Sequence, residues 1–317
     1  MNDIWHPFTH LKFAETPVNI ISSSGSYYFD EAGNKYIDAI SSWWVNIHGH
    51  SHPYIAKKIF EQASENAHSI FSGFTHPQAK KLADRILRRL PGNLSKVFFS
   101  DDGSTAVEVA LKMSLQFFNN YGKKRSKIIA FENGYHGDTF GSMSVGARNV
   151  FNQAFEELLF EVIYIPVPNQ DNINETLKYL NTEINLSEVA AFIFEPLVQG
   201  AGGMVMYESH FLDILIEKMK SFGVICIADE VMTAFGRTGK MFACENLKQQ
   251  VDIICLSKGL TGGFLPLGLT VCQEFIFERF ISDDKTHTFF HGHSYTANPI
   301  CCAAANASLD LFESEDT

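Results

Sequence analysis

Val224-Ile225-Cys226-Ile227-Ala228-Asp229-Glu230 and Ile253-Ile254-Cys255-Leu256-Ser257-Lys258-Gly259 lie in one segment between Gly223 and Gly263. Each is a short apolar run without alternation that ends abruptly in polar residues. Runs of this kind, rich in β-branched residues, suit strands of a parallel sheet covered on both faces. In open α/β sheets the chemistry gathers in the crevice beyond the carboxyl ends of the strands. Asp229 and Lys258 are therefore expected in one crevice. A structural ion pair at the sheet edge is the alternative, and the rest of the chain has to choose between them.

Outward from this segment, strand and helix patterns alternate. Val97–Phe99, Ile128–Phe131, Val162–Ile165, Val189–Phe194 and Leu267–Cys272 read as strands. Helical stripes are carried by Ala106, Val109, Ala110, Met113 and Phe117, and by Leu212, Leu215, Ile216 and Met219, the latter closed by Gly223 as its C′ residue. Pro53, Pro77 and Pro299 each open a further helix, and Tyr27–Asp30 with Lys35–Asp38 form a hairpin around Gly33 and Asn34. This alternation predicts an α/β architecture, a mostly parallel central sheet with helices on both faces.

The 317 residues, 45% hydrophobic and 19% charged, suit a soluble globular protein with a sizeable core. A net charge of −11 argues against nucleic acid or an anionic membrane as partner, with Lys123-Lys124-Arg125 the only basic cluster. The N-terminal residues lack the basic start and apolar stretch of a signal peptide, and no apolar run approaches bilayer length. The six cysteines show no C-x-x-C spacing and read as reduced core residues, which points to the cytoplasm.

Several motifs fail. Gly236-Arg237-Thr238-Gly239-Lys240 ends like a phosphate-binding loop, but Met241 stands where Ser or Thr must hold magnesium. No G-x-G-x-x-G follows a strand. His48, His50 and His52 alternate, yet Gly49 and Pro53 mark a loop without an acidic or Cys ligand beside it, so no metal is expected there or at His287, His291 and His293.

Other segments are more productive. Ser100-Asp101-Asp102-Gly103-Ser104 joins a strand to a helix, where free N–H groups and the helix dipole receive anions; an ordinary capped start, with Ser104 and Glu108 among the caps, is the alternative. Tyr135, after the 128–131 strand, could stack on a flat ring with Asp138 as an orienting acceptor. Trp43 and Trp44, in an extended segment, would face opposite ways, one toward a pocket and one toward the core. A lysine for a Schiff base, an acid for a pyridinium nitrogen, an aromatic for stacking and a helix N-terminus for a phosphate are together the requirements of pyridoxal 5'-phosphate.

The chain resembles the class III pyridoxal-phosphate aminotransferases through Asp229-Glu230-Val231, Phe235-Gly236-Arg237-Thr238-Gly239 and Leu256-Ser257-Lys258-Gly259. Ile4-Trp5-His6-Pro7, Ser41-Ser42-Trp43-Trp44, Gly134-Tyr135-His136-Gly137-Asp138-Thr139-Phe140-Gly141 and Val198-Gln199-Gly200-Ala201-Gly202-Gly203-Met204 narrow it to the branch acting in biotin synthesis. The resemblance implies the type I, aspartate-aminotransferase-like fold of pyridoxal-phosphate enzymes. It divides the chain into 1–42 in a small domain, 43–298 as the large cofactor-binding domain, and 299–317 as the start of a C-terminal segment. It implies that Lys258 carries the Schiff base and shuttles the proton, Asp229 binds the pyridine nitrogen, Gly103 and Ser104 hold the phosphate, and Tyr135 stacks on the ring. Trp43, Phe8 and Gly292 would line the substrate site, and His293 and Ser294 would complete the phosphate cup of the partner subunit in a homodimer with shared active sites.

The substrates so implied are S-adenosylmethionine as donor and 8-amino-7-oxononanoate as acceptor. Phe8 stands where the branch commonly has Tyr; it can stack on an adenine but lacks the hydroxyl, so lysine or another amine is the alternative donor. Family members continue into more of the small domain, with an arginine for the substrate carboxylate. On that expectation the sequence is a fragment or an impaired, cofactor-binding product, and Arg237 is not taken as the replacement. Another class III ω-amine or diamine transaminase is the remaining alternative.

Overall fold

The computed structural model describes residues 3–317. A seven-stranded sheet organises the chain. In sequence order, β1 (Ile20–Ser24), β2 (Tyr27–Asp30) and β3 (Lys35–Ile37) form a separate antiparallel sheet. β4 (Leu94–Ser100), β5 (Lys127–Phe131), β6 (Ile163–Ile165) and β7 (Val189–Phe194) belong to the large sheet. β8 (Val198–Gln199) and β9 (Val205–Met206) make a small hairpin, and β10 (Ile225–Asp229), β11 (Ile253–Leu256) and β12 (Gly268–Gln273) complete the large sheet. Its spatial order is β4-β12-β11-β10-β7-β5-β6, with only β12 running against its neighbours.

The central strands are buried from end to end, as non-alternating apolar runs require. Their side chains still alternate between two cores. Phe192, Phe194, Cys226, Ala228, Ile254 and Leu256 enter one, and Ala191, Ile193, Ile225, Ile227, Ile253 and Cys255 the other. The Gly103–Asn120 helix seals the second core with Ala106, Val109, Ala110 and Met113. The Pro77–Leu87 and Ser209–Ser221 helices seal the first, and Gly223, at φ 68, ends the latter in the left-handed conformation that glycine accepts most cheaply. The Pro299–Ser314 helix packs on the Pro53–Glu65 and Pro77–Leu87 helices, where Arg85 pairs with Asp310 at 2.8 Å and Glu313 at 2.9 Å.

Two expectations need correction. Trp43 and Trp44 are not extended: Ser41–Trp44 has φ of 51, 52, 59 and 66, a left-handed turn with no buried residue, so neither tryptophan enters the core. The start of the 103–120 helix is capped not by Ser104 or Glu108 but by Asp102, whose side chain accepts from Thr105 N at 2.7 Å while Thr105 Oγ1 accepts from Asp102 N at 3.0 Å. This reciprocal cap is worth about 0.5–2 kcal/mol. The sheet is mostly parallel, as expected; its one antiparallel strand, β12, turns back beside β11 after only eleven intervening residues, too few for a crossover helix.

Candidate functional site

β4, β5, β7, β10 and β11 share one direction, so their carboxyl ends meet along one edge. That edge carries Asp102 to Ser104 after β4, Asn133 to Asp138 after β5, Glu195 after β7, Asp229 at the end of β10 and Lys258 after β11. A cavity of about 670 Å³ opens there, lined by Gly103, Ser104, Tyr135, Asp229 and Lys258. These five are the residues that the resemblance assigned to the cofactor from its own chain, gathered from across the sequence; His293 and Ser294, assigned to a partner's cofactor, are not among them.

Asp229 is 4% exposed and already fully engaged on its protein side. Its Oδ2 lies 2.7 Å from His136 Nδ1 and its Oδ1 accepts from Val231 N at 3.0 Å. A carboxylate only accepts, so Nδ1 must carry the hydrogen. Burial works against a charged imidazole, but the hydrogen bond and charge of Asp229, with Glu195 nearby, raise the His136 pKa overall. Glu195 accepts from Tyr135 N at 3.1 Å and Gly200 N at 2.8 Å, and burial pushes its pKa up.

Lys258 has no ion pair or hydrogen bond among the described residues; its Nζ lies 5.0 Å from the centre of the Trp44 ring. Burial lowers its pKa, against the opposing charges of Asp229 and Glu195. The edge-stabilising ion pair with Asp229 is therefore absent, and the amine is free to act as a nucleophile. Its φ of 47 puts a non-glycine residue in the left-handed region, a strain of about 1–3 kcal/mol of the kind stored at functional sites.

The phosphate end and the ring wall are equally tight. A Cβ at Gly103 would lie 2.6 Å from Val231 Cγ1, so only glycine lets the helix start come this close to the segment that follows β10. Tyr135 donates its hydroxyl to Asp138 Oδ2 at 3.0 Å, and burial, followed by the Asp138 charge, raises its pKa. A second cavity of about 530 Å³ adjoins Lys258, lined by Phe8, Trp43, Trp44, Tyr135, Asp138 and Phe151. Phe8 meets Trp43 edge-on at 5.6 Å.

Gly292, His293 and Ser294 line neither cavity; His293 Nδ1 accepts from Tyr295 N at 3.2 Å and lies 3.4 Å from Asp101 Oδ2. Arg237 donates to Trp44 O at 3.3 Å. Among the described residues no group of three or more His, Cys, Asp or Glu is disposed to hold a metal, and His48 and His50 bond Ser308 and Asp38 instead. All six cysteines are free. No helix of the described residues is long and apolar enough to cross a membrane.

The class III aminotransferase family model matches residues 11–317. The chain belongs to the class III aminotransferases. It is 52% identical over 316 residues to an adenosylmethionine-8-amino-7-oxononanoate aminotransferase of Synechococcus elongatus, covering 97% of this chain and 74% of that protein. A crystal structure of the enzyme so named from Methanocaldococcus jannaschii superposes with a TM-score of 0.95 at 40% identity, covering 99% of this chain and 73% of that one. An amine transaminase from an uncultivated Pseudomonas species, solved with pyridoxal phosphate bound, gives 0.92 at 32% identity, covering 100% of this chain and 76% of that one. The chain is thus a transaminase of the type I fold, dependent on pyridoxal phosphate. The free Lys258 amine, the buried Asp229 acceptor and the glycine-permitted helix start fit that group.

The sequence missed Glu195 and His136 as site residues. Glu195 carried the same signal as Asp229, a carboxylate at the end of an unbroken apolar strand, and could have been found by it. His136 is set by a contact 93 residues away that no local pattern announces.

Proposed function

We propose that the chain moves an amino group from S-adenosylmethionine to 8-amino-7-oxononanoate, giving 7,8-diaminononanoate for biotin synthesis in the cytoplasm. The observation that carries this reading is the aromatic-walled cavity beside Lys258. Phe8, Trp43, Trp44 and Phe151 offer ring faces to an adenine and an apolar wall to a long aliphatic chain, and Asp138 offers a carboxylate to a substrate cation. The names of the relatives support the same substrates.

When bound, pyridoxal phosphate supplies an electron sink for charge developing beside the transferred nitrogen. The chain's own residues would do the rest. The first turn of the 103–120 helix, with Gly103 and Ser104, binds the phosphate through free N–H groups and the hydroxyl. Asp229, held by His136 and Val231 N, keeps a proton on the ring nitrogen. Tyr135 fixes the ring plane, and Lys258 Nζ, deprotonated more readily than an ordinary lysine, takes a proton from substrate carbon and returns it.

A homodimer with shared active sites belongs to this reading. Gly292, His293 and Ser294 lie outside both cavities of their own chain, as residues serving a partner's site would. Phe74, Phe290 and Tyr295 are exposed by 68%, 76% and 61%, apolar surface that a second copy would cover. Sedimentation at twice the 35.6 kDa chain mass is expected, and a strict monomer opposes it. In the proposed division into 1–42, 43–298 and 299–317, the first segment is supported by β1–β3 forming a sheet of their own, whereas the Pro299–Ser314 helix packs Cys302, Ala305 and Leu309 into the main core.

The test is a substrate panel on the cofactor-loaded protein. Diaminononanoate should form from 8-amino-7-oxononanoate with S-adenosylmethionine, and Phe8→Tyr should lower the KM for that donor by about two- to tenfold through one regained hydrogen bond. Activity on ornithine or 4-aminobutyrate with none on the oxononanoate would make the chain a general ω-amine transaminase. Activity with lysine but not S-adenosylmethionine would reassign the donor alone.

A further inference from the structure

Glu108 is one helical turn beyond Ser104, on the same face of the 103–120 helix, and it takes no part in capping that helix. It reaches sideways to the segment that follows Tyr135. Its Oε1 accepts from Thr139 Oγ1 at 2.6 Å, from Gly141 N at 2.7 Å and from Ser142 N at 3.2 Å. The last two are the free N–H groups that begin the Phe140–Val145 helix, and Thr139, that helix's own N-cap residue, makes no side-chain cap. Glu108 supplies the cap from another helix.

The proton count fixes more than the cap. Thr139 has one hydroxyl proton and a carboxylate oxygen only accepts, so that proton goes to Glu108. Thr139 Oγ1 is then an acceptor toward Ser104 Oγ, 3.0 Å away, while Thr139 N donates to Ser104 Oγ at 3.1 Å. Ser142 Oγ adds a bond to Ser104 O at 2.7 Å. There is no slack in the contact. Gly137, at φ 128, has no room for a Cβ against Ser104, and Gly141 has none against Glu108. At its other end the loop is tied through Tyr135 N to Glu195.

The geometry points to Glu108 as a positioning residue that joins the two halves of the cofactor site: the Ser104 hydroxyl at the phosphate and the Tyr135 loop at the ring. This rests on the cofactor site assigned above. Glu108 touches neither cavity itself, and acts through Thr139. The Ser104 proton goes to Thr139 Oγ1 here; when a phosphate binds, that proton can turn to a phosphate oxygen while Thr139 N–H still holds Ser104 Oγ in place.

The test measures pyridoxal-phosphate dissociation constants of cofactor-stripped variants by absorbance titration, alongside their unfolding temperatures without cofactor. Glu108→Ala should weaken binding by roughly 10- to 100-fold, the scale of losing a supporting contact to a binding group. Glu108→Gln should recover binding to within about threefold of wild type, because its amide oxygen still accepts from the same donors. Ser104→Ala should cost less in the Glu108→Ala background than alone, since the two act as one unit. If Glu108→Ala does not fold, Thr139→Val removes only the hydroxyl link and should weaken binding in the same direction. A lowered unfolding temperature with unchanged dissociation constant, or strictly additive Ser104 and Glu108 effects, would overturn the inference. Failure of the unaltered chain to bind the cofactor would instead contradict the cofactor assignment.

Discussion

Lys258→Ala should abolish turnover while leaving the protein folded and still able to take up pyridoxal phosphate. Among the described residues the Nζ makes no ion pair or hydrogen bond and only approaches the Trp44 ring at 5.0 Å, so its removal takes little from what holds the fold. The variant also relieves the burial of an amine whose pKa that burial lowers. Losing the acid–base group alone costs about 10²–10⁴ in rate, and the loss of the covalent anchor adds to it. Rapid-quench measurement of a single half-reaction separates this chemical loss from cofactor loss. Turnover within tenfold of the unaltered chain would remove Lys258 from the mechanism.

Asp229→Asn is the second large effect, and it acts on catalysis and stability together. An amide cannot balance a protonated ring nitrogen, and a kcat loss of roughly 10²–10³-fold is expected, as for removal of one preorganised electrostatic partner. The change also strips His136, 4% exposed, of the carboxylate that raises its pKa. A histidine with a raised folded pKa contributes stability that is fully present below its unfolded value, about 6.5, and lost as pH rises through the folded value. The stability gap between the unaltered protein and Asp229→Asn should therefore be widest below pH 6.5 and narrow toward alkaline pH. Denaturant melts at several pH values check this; a gap that widens with pH would mean that His136 is neutral in the folded protein.

The parts of this site that could be read in the sequence share one property: they lie where an apolar strand stops. Asp229 and Lys258 end two such strands, and a one-directional sheet carries both ends to one edge whatever their separation in sequence. Gly103, Ser104 and Tyr135 follow the same rule, two at a helix start and one in the loop after β5. What escaped depends on contacts between distant segments. His136 and Asp229, or Glu108 and Thr139, become partners only after the sheet and helices assemble.

The Ser41–Trp44 turn escaped for another reason. Left-handed conformations are usually announced by Gly or Asn, and here four side-chain-bearing residues adopt them. The turn carries both tryptophans to the cavities and leaves Trp44 facing the Lys258 amine. β12 looked like its neighbours because pattern alone says nothing of strand direction. The runs that gave the sheet its strands could not give their order.

The central claim is that a pyridoxal-phosphate ring sits between Asp229 and Lys258. Its most direct test is to load the purified chain with the cofactor, reduce it with borohydride and map the modified peptide by mass spectrometry. The pyridoxyl label is expected on Lys258 alone, with the visible absorbance of the loaded protein bleached in the same step. A protein that takes up no cofactor, or carries the label on a different lysine, would contradict the account.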